Sequence, residues 1–268
     1  MASRTNQTSH RINSRLVASL LSAFILTVSA TLANADEIHV LSGGGSQVAL
    51  RAFIPEFERA TGHRVSPTFA HVSVIQQKLA AGEKADLILL PVPLIAAAGK
   101  TLPLRSEGRV VLARVGIAVI VRTGTTPPDI STSDAVRKML LDARSVELPP
   151  SSGPAGGHLA RMIEQFGIAE AVRPKLTIKA AIDGGAKLVA EGKVDVAMQL
   201  LSEVQSANGV TVVGLLPPGL QNFVVYGAAI PAANDKPEAA LAFVKFLSEP
   251  GKKDLWKAAG FELMSTAR

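Results

Sequence analysis

Cysteine is absent from this chain, and aromatic residues are scarce, with one Trp and one Tyr among 268 residues. Without thiols there can be no disulfide, thiolate nucleophile or cysteine metal site. The histidines that follow the first 35 residues lack metal-site spacing, so we expect neither a metal nor a cofactor; they are His39, His63, His71 and His158. Motifs typical of serine hydrolases, dinucleotide enzymes and P-loop NTPases are also missing, which removes sequence support for those classes.

A clustered basic patch is missing as well. The formal net charge is +6, but Arg4, Arg11 and Arg15 all lie near the start of the chain. The other basic residues are scattered, with almost no aromatic residues between them. We therefore expect no nucleic-acid partner.

The first 35 residues have the three parts of a secretory signal peptide. The arginines form a basic segment, residues 16–28 are apolar, and Ala33-Asn34-Ala35 supplies small residues for cleavage. The apolar run is too short to span a membrane comfortably. We predict cleavage after Ala35 and export to the periplasm, so that residues 1–35 are the signal peptide.

Beyond this leader, short apolar runs alternate with amphipathic ones. They predict strands at 38–41, 64–69, 85–90, 110–121, 145–148, 194–200, 210–216 and 223–230, and helices at 47–61, 74–81, 93–99, 133–142, 158–166, 184–191, 237–247 and 252–258. Strands that alternate with helices favour an α/β fold with parallel pairing. The runs 110–121 and 223–230 are long enough to cross between two lobes. The predicted lobes are residues 36–114 with 224–268, and residues 115–223.

A glycine-rich turn joins the first predicted strand to the first predicted helix. Consecutive glycines allow positive φ and a close approach of ligand to backbone, and the first N–H groups of the helix favour an anion. Ser46 is the predicted N-cap and Ser42 a second hydroxyl donor. The turn predicts an oxyanion seat, although such turns also serve only to connect elements. Pro55, inside the helix, is expected to kink or split it.

Several short stretches occur in a characteristic order. They are FERATG at 57–62, FAHVS at 69–73, AGEKADL at 81–87, PAG at 154–156, GKVD at 192–195 and GF at 260–261. In this order they resemble the type II periplasmic solute-binding proteins of ABC importers, in the molybdate-binding family. The resemblance covers nearly all of residues 36–268. It implies two lobes, each a mixed, mostly parallel sheet flanked by helices, with the ligand cleft between them. It also implies a monomer that delivers a small anion to the membrane permease of an ABC importer.

The resemblance also implies which residues contact the ligand. Molybdate binders use a serine in the first turn, a second hydroxyl after strand two, backbone around Pro-Ala-Gly, and a tyrosine before a Ser-Asp pair. Here these positions fall at Gly45, beside Ser73, at residues 154–156, and at Leu200, with Glu203 in place of the Asp. The candidate ligand-binding residues are Ser42, Gly44, Gly45, Ser46, His71, Ser73, Ser152, Ala155, Gly156, Gln199 and Ser202.

The departures from the family pattern bear on the ligand. Gly45 and Leu200 each remove a side-chain hydroxyl, and a lost hydrogen bond to a charged ligand is worth about 1.5–3 kcal/mol. His71 and Gln199 are longer polar groups that suit a planar carboxylate. We therefore expect a small organic carboxylate to bind better than an oxyanion of the molybdate class.

An enzyme on the same scaffold is the alternative. A periplasmic isomerase acting on an unsaturated polycarboxylate such as aconitate needs a base, which His71 or Glu203 could supply, and a cationic clamp. Arg114 and Arg122 flank the first crossing run and are candidates for that clamp. His71 can equally be a surface histidine, and Glu203 a carboxylate favoured by a helix N-terminus. Because no reacting constellation is visible in the sequence, binding is the preferred function.

Overall fold

The computed structural model describes residues 35–179 and 185–264. The predicted signal peptide, apart from Ala35, lies outside these residues, and so does the first residue of the helix predicted at 184–191. Within the described ranges, no helix is both long enough and apolar enough to cross a lipid bilayer.

The strands of the described residues form two sheets. The first sheet contains β1 (Glu37–Gly43), β2 (Arg64–Ala70), β3 (Leu87–Pro91), β4 (Val110–Val115), β10 (Val224–Ala229) and β11 (Glu262–Leu263). The second contains β5 (Ile117–Arg122), β6 (Val146–Leu148), β7 (Leu176–Ile178), β8 (Val196–Leu200) and β9 (Val210–Leu215). Their orders are β11-β4-β10-β3-β1-β2 and β7-β6-β8-β5-β9.

Both sheets are mixed. Pairing is parallel around β1, with β2 and β3, and around β6, with β7 and β8. Pairing is antiparallel around β10 and β5, the two strands that each follow a crossing between the sheets. The predicted α/β fold with two mixed sheets flanked by helices is confirmed.

The helices connect the strands. They are α1 (Gln47–Thr61), α2 (Val72–Ala80), α3 (Val92–Ala98), α4 (Ser133–Asp142), α5 (Pro154–Gln165), α6 (Ala169–Val172), α7 (Ala186–Ala190), α8 (Leu201–Val204), α9 (Pro237–Ser248) and α10 (Lys253–Ala258). Alternate residues of β3 face opposite layers: Leu89 packs in one buried cluster with α1, and Ile88 in another with α2 and α3. Burial on both faces explains why this strand is apolar throughout.

Two helix predictions need correction. α1 is one helix that runs through Pro55, not two pieces. Pro55 is exposed, so the carbonyl that loses its partner, that of Arg51, lies on the solvent side where water can satisfy it. α5 begins at Pro154, earlier than the predicted start at His158, because proline lacks an N–H that the first helical position would leave unpaired anyway.

The chain crosses between the sheets twice. The first predicted crossing run is divided at Gly116, with β4 in the first sheet and β5 in the second. The prediction that the run 223–230 crosses back was wrong, because β10 lies wholly in the first sheet and residues 216–223 make the crossing. The Gln221 side chain joins the two crossings: the Ile117 N–H donates to Gln221 Oε1 at 2.9 Å, and Gln221 Nε2 donates to the Ile117 carbonyl at 3.0 Å.

The few aromatic residues are concentrated beneath the first sheet. Trp256 packs against Phe53 at 5.0 Å and against Phe261 at 5.2 Å between ring centroids. Phe261 in turn packs edge-on against Tyr226 at 5.5 Å. These packed rings hold Tyr226, the single tyrosine, which is almost fully buried. Tyr226 lies in β10, on the side of the first sheet that faces the second.

Candidate functional site

A small cavity lies between the two sheets, at the point where β2, β3, β6 and β8 all end. His71 and Tyr226 line it from the first-sheet side, and Gln199 and Glu203 from the second. Its volume is about 40 Å³, which is room for about three water molecules. Pockets for small ligands usually measure about 300–1,000 Å³, so a ligand would enter only if the sheets moved apart.

Helices α2 and α5 both begin at this cavity. Val72 and Pro154, their first residues, are among the residues that line it. The N-cap of α5 is Gly153, which has no side chain to occupy the N–H groups of the first turn. The positive ends of two helix dipoles therefore meet at the cavity, and this favours an anion.

The loop before α5 brings only some of its predicted residues to the cavity. Ala155 and Gly156 line it, whereas Ser152 is exposed on the preceding turn and does not. A Cβ at Gly156 would lie 2.2 Å from the carbonyl oxygen of Pro150 and 2.4 Å from that of Pro149. Packing alone therefore requires glycine at position 156.

His71 is held in one orientation by Ser73. Its Nδ1 lies 2.8 Å from Ser73 Oγ and accepts from the Ser73 backbone N–H at 3.4 Å. Because a backbone N–H can only donate, Nδ1 is the unprotonated nitrogen and Nε2 carries the hydrogen in the neutral ring. Burial lowers the pKa of His71 below its ordinary 6.5, which favours that neutral form. Nε2 lies 3.6 Å from the place of a Cβ on Gly153, so the N–H donor points across the cavity to α5.

Gln199 at the end of β8 is paired with a carboxylate that the sequence analysis did not single out. Gln199 Nε2 donates to Glu147 Oε2 at 2.6 Å, and both residues are buried. Glu147 could have been noticed as the one charged residue of the strand predicted at 145–148, since a charge in a buried strand needs a partner.

Tyr226 is the second residue that sequence reasoning missed. A Cβ at Gly45 would lie 2.5 Å from Tyr226 Oη and 3.0 Å from Leu200 Cδ1, so the ring and Leu200 share one wall. Tyr226, on another strand, thus places a tyrosine hydroxyl beside position 200. Burial and the nearby charge of Glu203 raise the pKa of Tyr226, against a smaller lowering by its hydrogen bond with the Gly45 backbone. The phenol is therefore protonated at neutral pH.

The glycine turn differs from its prediction in two ways. Gly44, Gly45 and Ser46 form a 3₁₀ turn in which no glycine has positive φ, so the turn does not use the conformational freedom that glycine allows. Ser46 occupies the N-cap position of α1 but caps nothing: it donates to the Gly43 carbonyl at 2.9 Å and lies 2.6 Å from Ser42 Oγ. Ser42 and Ser46 are buried against each other rather than presented to the cavity.

Two other predicted residues line a neighbouring groove. Gly44 and Ser202 border a groove of about 390 Å³ beside the start of α1, not the cavity itself. Ser202 Oγ is buried, and it has no hydrogen-bond partner in the described part of the chain. Glu203 borders both the groove and the cavity, so the two spaces share one wall.

Cationic side chains are absent from the lining of the cavity, as far as the described residues go. Arg114, a predicted clamp, instead pairs with Glu262 at 2.6 Å and lies over the ring of Phe223 at 4.3 Å. Arg122, the other, borders a groove of about 430 Å³ at the opposite end of β5. That groove is larger, but helices α2 and α5 do not begin there, so we place the site at the cavity. Residues 35–179 and 185–264 also hold no cluster of three His, Asp or Glu side chains able to bind a metal.

Comparison with known proteins gives a consistent result. A family model described as bacterial extracellular solute-binding protein matches residues 38–262. The chain is 31% identical over 255 residues to an aconitate isomerase from a Pseudomonas species, covering 91% of the chain and 94% of that protein. It is 26% identical over 262 residues to the molybdate-binding protein ModA of Azotobacter vinelandii, covering 93% and 98%. The structure of a periplasmic molybdate-binding protein from Azotobacter vinelandii matches with a TM-score of 0.71 at 15% identity, covering 85% of this chain and 99% of that one.

Proposed function

Because the chain belongs to the bacterial extracellular solute-binding proteins, we propose that it captures a small anion between its sheets and delivers it to the permease of an ABC importer. The observation that carries the proposal is the meeting of two helix N-termini at the cavity, beside the neutral N–H donor of His71. The curated relative named as molybdate-binding supports an anion as ligand.

A small organic carboxylate is the ligand that we propose. The hydroxyls of Ser42 and Ser46 bond to each other and to the backbone, so they do not replace the serine lost at Gly45. His71 and Gln199 line the cavity with polar groups at longer reach. An oxyanion of the molybdate class remains the other member of this proposal, and the tests below separate the two.

The location and the lobes belong to the same proposal. We place the mature protein in the periplasm, with residues 36–114 and 224–268 as one lobe and 115–223 as the other. Each sheet draws its strands from one of these sets, apart from Val115 at the end of β4. Capture would then be a hinge motion about residues 115–117 and 216–223, the two places where the chain passes between the sheets.

A thermal-shift screen tests the proposal directly. A ligand that binds only the native state adds to the free energy of unfolding, by about 2.7 kcal/mol when its concentration is a hundred times Kd. The melting temperature rises as a result. The screen compares molybdate, tungstate and sulfate with di- and tricarboxylates. We expect the largest shift from a carboxylate and a smaller shift for His71→Ala. His63→Ala is the control, because His63 accepts from the Asp36 N–H just before β1 and does not line the cavity.

Three results would each contradict one part of this proposal. A screen without any shift would remove anion binding itself. A largest shift with micromolar molybdate, unchanged in His71→Ala, would replace the carboxylate by the plain oxyanion. Equal losses in His71→Ala and His63→Ala would mean that the effect is not at the cavity.

An isomerase is the second candidate, and one comparison favours it, the relative named aconitate isomerase. In such a reaction a base removes a proton from carbon, the double bond shifts, and a proton is returned at the other end of the three-carbon unit. Glu203 is the better base of the two predicted, since His71 Nε2 already carries a hydrogen. The lack of a lining cation among the described residues speaks against binding a tricarboxylate.

Proton NMR in D₂O distinguishes the two functions. An isomerase would interconvert the cis and trans forms of aconitate and exchange the transferred hydrogen with solvent, and Glu203→Gln would stop both. A binding protein would leave the spectrum of aconitate unchanged over hours.

A further inference from the structure

The Gln199 amide is held in a single orientation by a buried carboxylate. A carboxylate oxygen accepts hydrogen bonds, so the end of the amide that lies 2.6 Å from Glu147 Oε2 is the NH₂ group. Glu147 is held in its turn: a Cβ at Gly185 would lie 2.4 Å from Glu147 Oε2, so the Gly185 backbone packs directly on the carboxylate.

The other end of the amide is left for the cavity. Gln199 is almost fully buried and lines the cavity. Its bond to Glu147 is the one side-chain hydrogen bond that it makes with residues 35–179 and 185–264. Its carbonyl oxygen, an acceptor, is therefore the group available to a ligand.

The walls of the cavity thus differ in polarity. His71 Nε2 and the uncapped first turn of α5 offer N–H donors, which suit the oxygens of an anion, whereas the N–H groups of Ser73, Val74 and Ile75 in α2 already donate to His71. Gln199 offers an acceptor, and the Glu203 carboxylate lines the same side. An anion with lone pairs on every oxygen would place one of them against the Gln199 carbonyl, with no hydrogen between the two oxygens.

We infer that Gln199, oriented by Glu147, selects anions that carry a hydroxyl group near the carboxylate, so that the ligand is a small hydroxycarboxylate. The inference rests on the proposed anion-binding function and narrows it. The hydroxyl donates to the Gln199 carbonyl while the carboxylate lies against the N–H donors. Glu147 is a positioning residue, because it acts through the amide and does not line the cavity.

Matched ligand pairs test the selection. Calorimetric titration compares malate with succinate, citrate with tricarballylate, and lactate with propionate, because each pair differs by one hydroxyl. We expect the hydroxylated member of the pair that binds to be favoured at least tenfold, since a buried acceptor is left unpaired by its partner. Gln199→Leu should bring the two affinities within about twofold.

Glu147→Gln separates positioning from folding. This change keeps the shape of the side chain and lets the Gln199 amide turn over, which would present its NH₂ group to the ligand. The hydroxyl preference should fall severalfold while the deoxy ligand binds as well or better, which a merely loosened fold would not produce. Gln205→Leu is the control, because Gln205 Nε2 donates to the Ala258 carbonyl away from the cavity, and the preference should not change.

The outcomes are distinct for the inference and for the proposed function. Equal affinity within the pair that binds, or a preference unchanged in both Gln199→Leu and Glu147→Gln, overturns the inference and leaves anion binding intact. If sulfate or molybdate binds and no carboxylate does, the inference is likewise overturned and anion binding stays intact. If no anion binds, both fall together.

Discussion

A methyl group added at Gly45 would collide with Tyr226. The new Cβ would lie 2.5 Å from Tyr226 Oη, 3.2 Å from its Cζ and 3.0 Å from Leu200 Cδ1. Tyr226 has little freedom to move, because it is buried and its ring packs against Phe261 at 5.5 Å. Overpacking a core costs about 1–3 kcal/mol, so we expect Gly45→Ala to lower the free energy of unfolding by that amount. The melting temperature should fall by about 2–4 °C for each kcal/mol.

Urea unfolding followed by circular dichroism measures the change. Gly251→Ala is the matched control, because nothing lies within 4 Å of a Cβ at that position, and its effect should stay within about 0.5 kcal/mol. Combining Gly45→Ala with Tyr226→Phe removes the oxygen of the shortest contact. The double variant should therefore be about 1 kcal/mol more stable than the sum of the single changes implies. Strict additivity, or a Gly45→Ala protein as stable as the unchanged one, would refute this packing.

Three further predictions concern other parts of the molecule. Burial lowers the pKa of His71 from 6.5, so as pH falls the unfolded chain takes up the proton before the folded protein does. The melting temperature measured against pH should therefore fall below about pH 6.5, and His71→Gln should remove this part of the decrease. Gln221→Leu leaves the Ile117 N–H without its partner, whereas the Ile117 carbonyl still accepts from the Leu216 N–H at 3.0 Å, so the change should cost about 1–3 kcal/mol and speed amide exchange at Ile117, seen by NMR. Intact-mass analysis of the exported protein should show Asp36 as the first residue, and a product that retains residues 16–28 would contradict the signal peptide.

The architecture was readable from the sequence because it depends on local patterns. A helix predicted at 237–247 is found as α9, and a strand predicted at 85–90 as β3. Gly62, predicted to end α1, has the left-handed φ of 79° that only glycine adopts easily. The second crossing was misjudged because β-branched residues at 223–230 indicate a strand but not the sheet to which it belongs.

The candidate site was less predictable because pairing across the chain creates it. Tyr226 reaches the cavity only because β10 pairs with β3, which places it opposite Pro91. Glu147 meets Gln199 because β6 pairs with β8, with Glu147 opposite Ala197 and Gln199 two residues further on the same face. Neither register can be read from one sequence. The two serines of the glycine turn were misassigned because a buried hydroxyl bonds to the nearest acceptor, here within the turn itself.

The order of strands in the first sheet also has a consequence for synthesis on the ribosome. β10 fills the place between β4 and β3, yet it is translated after every strand of the second sheet. A nascent chain can therefore complete the second sheet, whose strands all lie within 117–215, while β3 and β4 still have unpaired edges. Such edges recruit other chains, so premature termination before residue 224 should yield aggregates and not a partly functional protein.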